Sequence, residues 1–248
     1  MGHRATTTFE NNHRWDRNFF LAYVVMIWLG ILMGFVPEII GHVERNATPY
    51  PAIVHFHAIA FVGWLILLTV QVLLIRAHRA DIHRELGIAG VFLAGAMVVL
   101  GPVTAIVVDG LRLGKPDSDP AFLSIQLTDI VSFAGLVTAA IAMRHRPAAH
   151  KRLMLLTTLF ISDAGFARWL SGHVSALLGD GFWGTFAQLY SASDSLIAGL
   201  GIYDLWTRRR LHPVYLPGVA WGLANQLTAV GLYFSPTWQS IALRLISH

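Results

Sequence analysis

Residues 52–75 read AIVHFHAIAFVGWLILLTVQVLLI, 24 consecutive positions without an aspartate, glutamate, lysine or arginine. A transmembrane helix needs about 20 mostly apolar residues to cross roughly 30 Å of hydrocarbon. This stretch meets that requirement with room to spare. Six further segments read the same way: Phe19–Ile40, Gly87–Val108, Ala121–Met143, Leu153–Leu170, Thr185–Trp206 and Val214–Phe234. Over all 248 residues 55% are hydrophobic and 13% are charged, with a mean hydropathy of +0.56. About a quarter of a soluble domain is normally charged, so the composition excludes an ordinary soluble fold. The absence of cysteine excludes disulfides, zinc–thiolate centres and thiolate-held iron–sulfur clusters.

The expected fold is therefore all-α: a polytopic membrane protein of seven transmembrane helices. Residues 1–18 form a polar N-terminal segment, 19–234 a single transmembrane domain, and 235–248 an external C-terminal segment. The first 18 residues lack the small-residue cleavage site of a removable signal peptide, so Phe19–Ile40 reads as a retained span. With the N-terminus cytoplasmic, 13 of the 18 basic residues fall on the inner side. The outer side holds Arg45, Arg112, Lys115 and Arg244, and Arg168 lies within a span. The positive-inside rule then places the C-terminus outside. The same distribution accounts for the sequence pI of 9.8 without nucleic acid.

The inner loops resemble one another. His78-Arg79 followed by His83-Arg84-Glu85-Leu86 aligns, 67 residues later, with His145-Arg146 followed by His150-Lys151-Arg152-Leu153. Arg208-Arg209-Arg210-Leu211-His212-Pro213 is a shortened third version, and Asp129 in span four has a counterpart in Asp194 of span six. Three repeated helix hairpins plus an added first helix account for this pattern, and such repeats often enclose a central site.

Trp64, Gln71 and Arg76, followed by His83-Arg84-Glu85-Leu86-Gly87 and later by Asp194, Tyr203-Asp204, Arg208 and His212-Pro213, carry a resemblance. Over spans two to seven the chain resembles a family of predicted bacterial multi-pass membrane proteins of unknown function. The resemblance implies a location in the bacterial inner membrane and no particular activity.

A charge at a helix centre costs about 2.5–3.5 kcal/mol on insertion scales, so ionisable residues inside spans mark function. Asp129, Asp163, Arg168 and Asp194 are the clearest cases. Side chains lean toward their helix N-terminus, which points Asp129 and Asp194 outward and Arg168 inward to meet them. His55 and His57 open span two on the outer side, and His173 closes span five there. Asn225 and Gln226 of span seven reach the depth of Asp194, and Glu38 and His42 form an i, i+4 pair at the outer end of span one. The expectation is a polar cavity in the outer half of the bilayer, open to a small-molecule ligand, with Asp129, Asp194 and Arg168 as its catalytic groups.

Three functions follow from such a cavity. A haem- or metal-dependent redox or hydrolytic protein would hold haem b between His57 and His173, or a divalent metal ion through His55, His57 and His173. A two-haem bundle is not expected, because the position about 13–14 residues after His57 that a second leaflet's haem requires is Gln71. A proton-coupled small-solute transporter would use Asp129, Asp194 and Arg168 as alternating charge partners. A structural membrane protein would keep the same three as a buried ion-pair network. Retinal is excluded because the two lysines, Lys115 and Lys151, sit in loops. Phosphate loops and a nucleophile elbow are also absent. Apart from the lipid bilayer, no partner is indicated.

Overall fold

The computed structural model describes residues 9–10, 12–116 and 118–247. Among them the chain forms nine α-helices and one 3-10 turn, with no strand. The helices are α1 (Asp16–Glu44), α2 (Ala52–Arg76), α3 (Ala80–Arg112), α4 (Leu123–Ala142), α5 (Pro147–Ile161), α6 (Asp163–Leu178), α7 (Phe182–Arg208), α8 (Tyr215–Tyr233) and α9 (Pro236–Ile246). The 3-10 turn Pro120–Phe122 leads into α4. Proline punctuates the starts: Pro51 precedes α2 in an extended conformation, and Pro147 and Pro236 open α5 and α9, where a missing N–H costs nothing. Gly179, at φ 71°, ends α6 in a conformation that favours glycine.

Four helices, α1, α2, α3 and α4 with its leading turn, are long and apolar enough to cross a membrane. A fifth is added if α5 and α6 together make one span. The protein presents an extensive exposed apolar surface, including Leu29, Leu32, Ile59, Ile66, Phe92 and Val99. A soluble monomer rarely exposes contiguous apolar patches beyond a few hundred Å²; a bilayer is the solvent that suits such a surface.

The expected continuous helix Leu153–Leu170 is instead broken. α5 stops at Ile161, Ser162 sits at φ −82° and ψ −6°, and α6 leaves at 49° to α5. Ser162 Oγ donates to the Leu159 carbonyl at 2.8 Å, the back-bonding that bends helices. The expected external C-terminal segment contains α9, held by Ser235 Oγ accepting from the Trp238 backbone N–H.

α5 is the centre of the bundle. It packs against α4, α7 and α8, and Arg152, Leu156, Thr157 and Leu159 along it have no exposure. Trp64 Nε1 of α2 donates to Thr158 Oγ1 at 3.2 Å, closing the fourth side. The other helices form a ring around it, with α1 against α2 and α6, α3 against α2 and α4, and α7 against α6 and α8. α1 and α6 touch backbone to backbone. A Cβ on Gly34 would stand 2.2 Å from the Gly165 carbonyl oxygen, and one on Gly165 would stand 2.9 Å from the Gly30 carbonyl oxygen. Gly30-x-x-x-Gly34 is thus a small-residue crossing of the kind that membrane helices use.

Candidate functional site

The break at Ser162 places Asp163 as the first residue of α6, deep in the bundle and 3% exposed. Its position at a helix N-terminus offers it the positive end of the helix dipole. Asp129 from α4 and Asp194 from α7 lie close enough to Asp163 to act on it electrostatically, and Tyr190 of α7 faces all three. Ser193 Oγ donates to Asp163 Oδ1 and also lies 3.0 Å from the Tyr190 carbonyl. Gln226 Nε2 of α8 donates to Asp194 Oδ1 at 3.1 Å. Four helices therefore each contribute a polar residue to one place. Asp163 Oδ2, the Tyr190 hydroxyl and Gln226 Oε1 are buried without a hydrogen-bond partner among the described residues. None of the three aspartates has an ion-pair partner among them either.

Asp129 and Asp194 each act electrostatically on Asp163 and on Tyr190. Arg168 does not join them. Its Nε donates to Glu38 of α1 at 2.8 Å and its guanidinium lies 4.5 Å over the Phe35 ring, with both partners of the ion pair about two-fifths exposed. Five residues past Asp163 on the same helix is a rotation of about 140°, so Arg168 turns toward α1 rather than toward the acids. The expected Glu38–His42 pairing is likewise replaced, as His42 stacks on Tyr50 at 4.0 Å. Gln226 reaches Asp194, whereas Asn225 is half-buried and donates to the carbonyl of Trp221 on its own helix.

The histidines are dispersed. His57 is half-buried and stacks on Phe61 at 4.0 Å, with a buried Nδ1 that has no hydrogen-bond partner among the described residues. His55 and His173 are exposed. Among the described residues no group of three or more His, Asp or Glu side chains is placed to hold a metal ion.

A second buried cluster lies at one end of the bundle, and sequence reasoning missed it. Asp16 of α1 accepts from Lys151 Nζ at 2.6 Å, from the Tyr203 hydroxyl at 2.6 Å and from Arg208 Nη2 through both oxygens. Arg152, fully buried on α5, pairs with Asp204 of α7 through two nitrogens, Nε at 2.7 Å. Its third nitrogen donates to the Ala148 carbonyl. Arg208 Nη1 also lies 3.7 Å from Asp204. Phe9 caps the assembly with its ring over the guanidiniums of Arg152, Arg208 and Arg210 and edge-on to His212. Burial and the nearby Arg152 charge push the His212 imidazole down to about 4. At the same end Arg17 and Arg76 bond to each other's helix, and His83 and His150, the histidines matched by the internal repeat, sit 6.4 Å apart edge to face.

In the sequence the basic residues of this cluster read as topology determinants and as members of the internal repeat, not as a buried network. The available signal was the set Tyr203, Asp204, Arg208 and His212, together with the i, i+4 spacing of Asp204 and Arg208. No family model matches the chain, and no curated protein or solved structure matches it either.

Proposed function

We propose that the protein is a seven-span membrane protein of the bacterial inner membrane that carries protons through the Asp129–Asp163–Asp194 cluster, coupled to the movement of a small solute. The spans are α1, α2, α3, α4, the broken pair α5–α6, α7 and α8. The gathering of Arg17, Arg76, Lys151, Arg152 and Arg208 at one end supports reading that end as cytoplasmic, with the N-terminus inside. The packing of α2 on α3 and of α4 on α5 is compatible with repeated hairpins.

One observation carries the reading: three carboxylates from three helices converge without a cation among the described residues. Three ionised carboxylates cannot share such a place, since each desolvated charge costs several kcal/mol and like charges add to it. Charge balance has to come from bound protons or from a bound cation. The Tyr190 and Ser193 hydroxyls beside Asp163 are groups that can pass a proton between carboxylates, because each both donates and accepts. The break at Ser162 gives the site a joint at which α6 can tilt relative to α5.

A hydrophobic carbodiimide tests this, because it modifies protonated carboxyls inside membranes. The reading predicts modification of one of Asp129, Asp163 or Asp194, located by mass spectrometry of the digested protein. Absence of modification on all three across the range from mildly acidic to mildly alkaline buffer would contradict it.

A haem or metal reading draws on one observation, the unpartnered Nδ1 of His57. It predicts a Soret band or stoichiometric metal in purified protein, lost in His57→Ala and His173→Ala. A colourless and metal-free preparation would contradict it.

A further inference from the structure

At the basic end of the bundle, Gln71 of α2, His83 of α3 and His150 of α5 meet. The two imidazole rings lie 6.4 Å apart, centre to centre. The Gln71 side chain lies against the face of α3 that carries His83. Its Nε2 would stand 3.9 Å from a Cβ on Gly87, one turn beyond His83, and its main-chain carbonyl is close enough to act on the His83 ring. Two atoms here, His83 Nδ1 and Gln71 Oε1, are buried with no hydrogen-bond partner among the described residues. Both can offer a lone pair, and leaving such atoms unused is costly. His150 Nδ1 stands 2.8 Å from the Ala140 carbonyl oxygen. A carbonyl only accepts, so His150 carries its proton on Nδ1 and keeps a lone pair on Nε2. A backbone carbonyl that holds one ring nitrogen, leaving the other free to bind, is how metal-ligating histidines are oriented.

We propose that His83 and His150 bind one monovalent copper ion between them, with Gln71 Oε1 as a weak third donor. The spacing selects the geometry. A metal–nitrogen bond of about 2.0–2.1 Å puts the centre of a bound imidazole about 3.2 Å from the ion. Two rings on opposite sides of an ion are then roughly 6.4 Å apart, and two at a tetrahedral angle roughly 5.2 Å. The observed 6.4 Å fits the opposed arrangement, which monovalent copper takes with two donors and zinc does not. Imidazole suits copper. Among the described residues no third imidazole or carboxylate gathers here to complete a tetrahedral zinc set. The Arg84 guanidinium is close enough to act on His83, and a nearby cation disfavours a dication more than a monocation. His150 lies about 17 Å along α5 from the break at Ser162. The copper site and the mid-bundle acids therefore stand or fall apart.

Competition for copper(I) between the detergent-purified full chain, prepared without a histidine tag, and the chromophoric chelator bicinchoninate in anaerobic ascorbate buffer tests the assignment. One copper(I) per chain is expected to leave the chelator. His83→Ala and His150→Ala should each weaken binding by more than the 10–100-fold that loss of an orienting partner costs. Gln71→Ala should weaken it severalfold. His145→Ala, at an exposed position between α4 and α5, should bind like wild type. So should His57→Ala and His173→Ala, which separates this site from a haem or metal held by those two. X-ray absorption of the copper-loaded wild type needs no variant to fold, and should show two imidazole nitrogens in line and no sulfur. The proposal is overturned by absence of copper(I) binding to the wild type, by sulfur ligation, by displacement of copper(I) by equimolar zinc(II), or by unchanged affinity in both His83→Ala and His150→Ala.

Discussion

Two buried clusters of charge sit in this bundle, and they are built on opposite principles. The cluster under Phe9 pairs every acid: Asp16 takes Lys151, Tyr203 and Arg208, and Asp204 takes Arg152. The cluster at the α5–α6 break leaves three acids with hydroxyls and an amide, and no cation among the described residues. The first is a satisfied network, whose members hold α1, α5 and α7 at one register. The second is charge-deficient, a condition a structural cluster has no reason to keep. Satisfaction is the mark of a fixed joint; deficiency is the mark of a place where something binds and leaves. This difference is the ground for placing the proposed function at the second cluster and not at the first.

The largest expected effect breaks the satisfied cluster. Arg152→Ala leaves Asp204 buried without its main partner and should cost about 3–5 kcal/mol of stability, read by unfolding in mixed micelles. The double variant Arg152→Met with Asp204→Leu should recover most of that loss, since an apolar pair of similar volume can replace a buried ion pair. Recovery would confirm that the loss comes from an orphaned charge rather than from a cavity.

The next effect is a pH dependence confined to the same cluster. The His212 imidazole sits at about 4 in the fold against an ordinary value of 6.5. The fold therefore favours the neutral ring, and the unfolded chain takes up its proton first as pH falls. The stabilising contribution is complete above 6.5 and is lost between about 6.5 and 4, by on the order of 2 kcal/mol after allowing for partial solvent screening. His212→Gln should flatten the stability profile across that window. A profile that keeps its slope in the variant would place the titrating group elsewhere.

Removing a charge from the deficient cluster should act in the opposite direction. Asp163→Asn keeps the shape and discards a carboxylate that has no cation, so stability should rise by about 1 kcal/mol while any proton transfer is lost. A fall of the size expected for Arg152→Ala would erase the contrast between the two clusters. The smallest effect belongs to the cap: Phe9→Ala should cost about 0.5–1 kcal/mol, because the ring is only half-buried and the guanidiniums under it keep their carboxylate partners.

What could be read from the sequence follows the physics of isolated charges. Uninterrupted apolar runs announce α1 to α4 because nothing else in water tolerates them. Asp129 and Asp194 stand out because a lone carboxylate in such a run is expensive, and each acts on Asp163. Asp163 stood out equally, but its place at the head of α6 depends on a bend at Ser162 whose signal is a single hydroxyl back-bond. That bend also sets the direction of Arg168, which pairs with Glu38 instead of with the acids. The basic cluster was hidden by its own plausibility: arginine and lysine near helix ends already have a topological explanation, so nothing in Lys151, Arg152 or Arg208 asks for a second one. The backbone contact of Gly34 with Gly165 is a matter of which helices become neighbours, and spacing along one chain segment does not contain that information.

The most direct measurement is proton entry into proteoliposomes carrying a trapped pH indicator, driven by a potassium diffusion potential and compared between wild type, Asp163→Asn and Arg152→Lys. The account predicts acidification by the wild type above that of empty liposomes, none by Asp163→Asn despite its intact fold, and retained flux in any Arg152→Lys protein that folds. Equal flux from wild type and Asp163→Asn, or wild-type flux no greater than that of empty liposomes, would contradict a proton-carrying role for the Asp129–Asp163–Asp194 cluster.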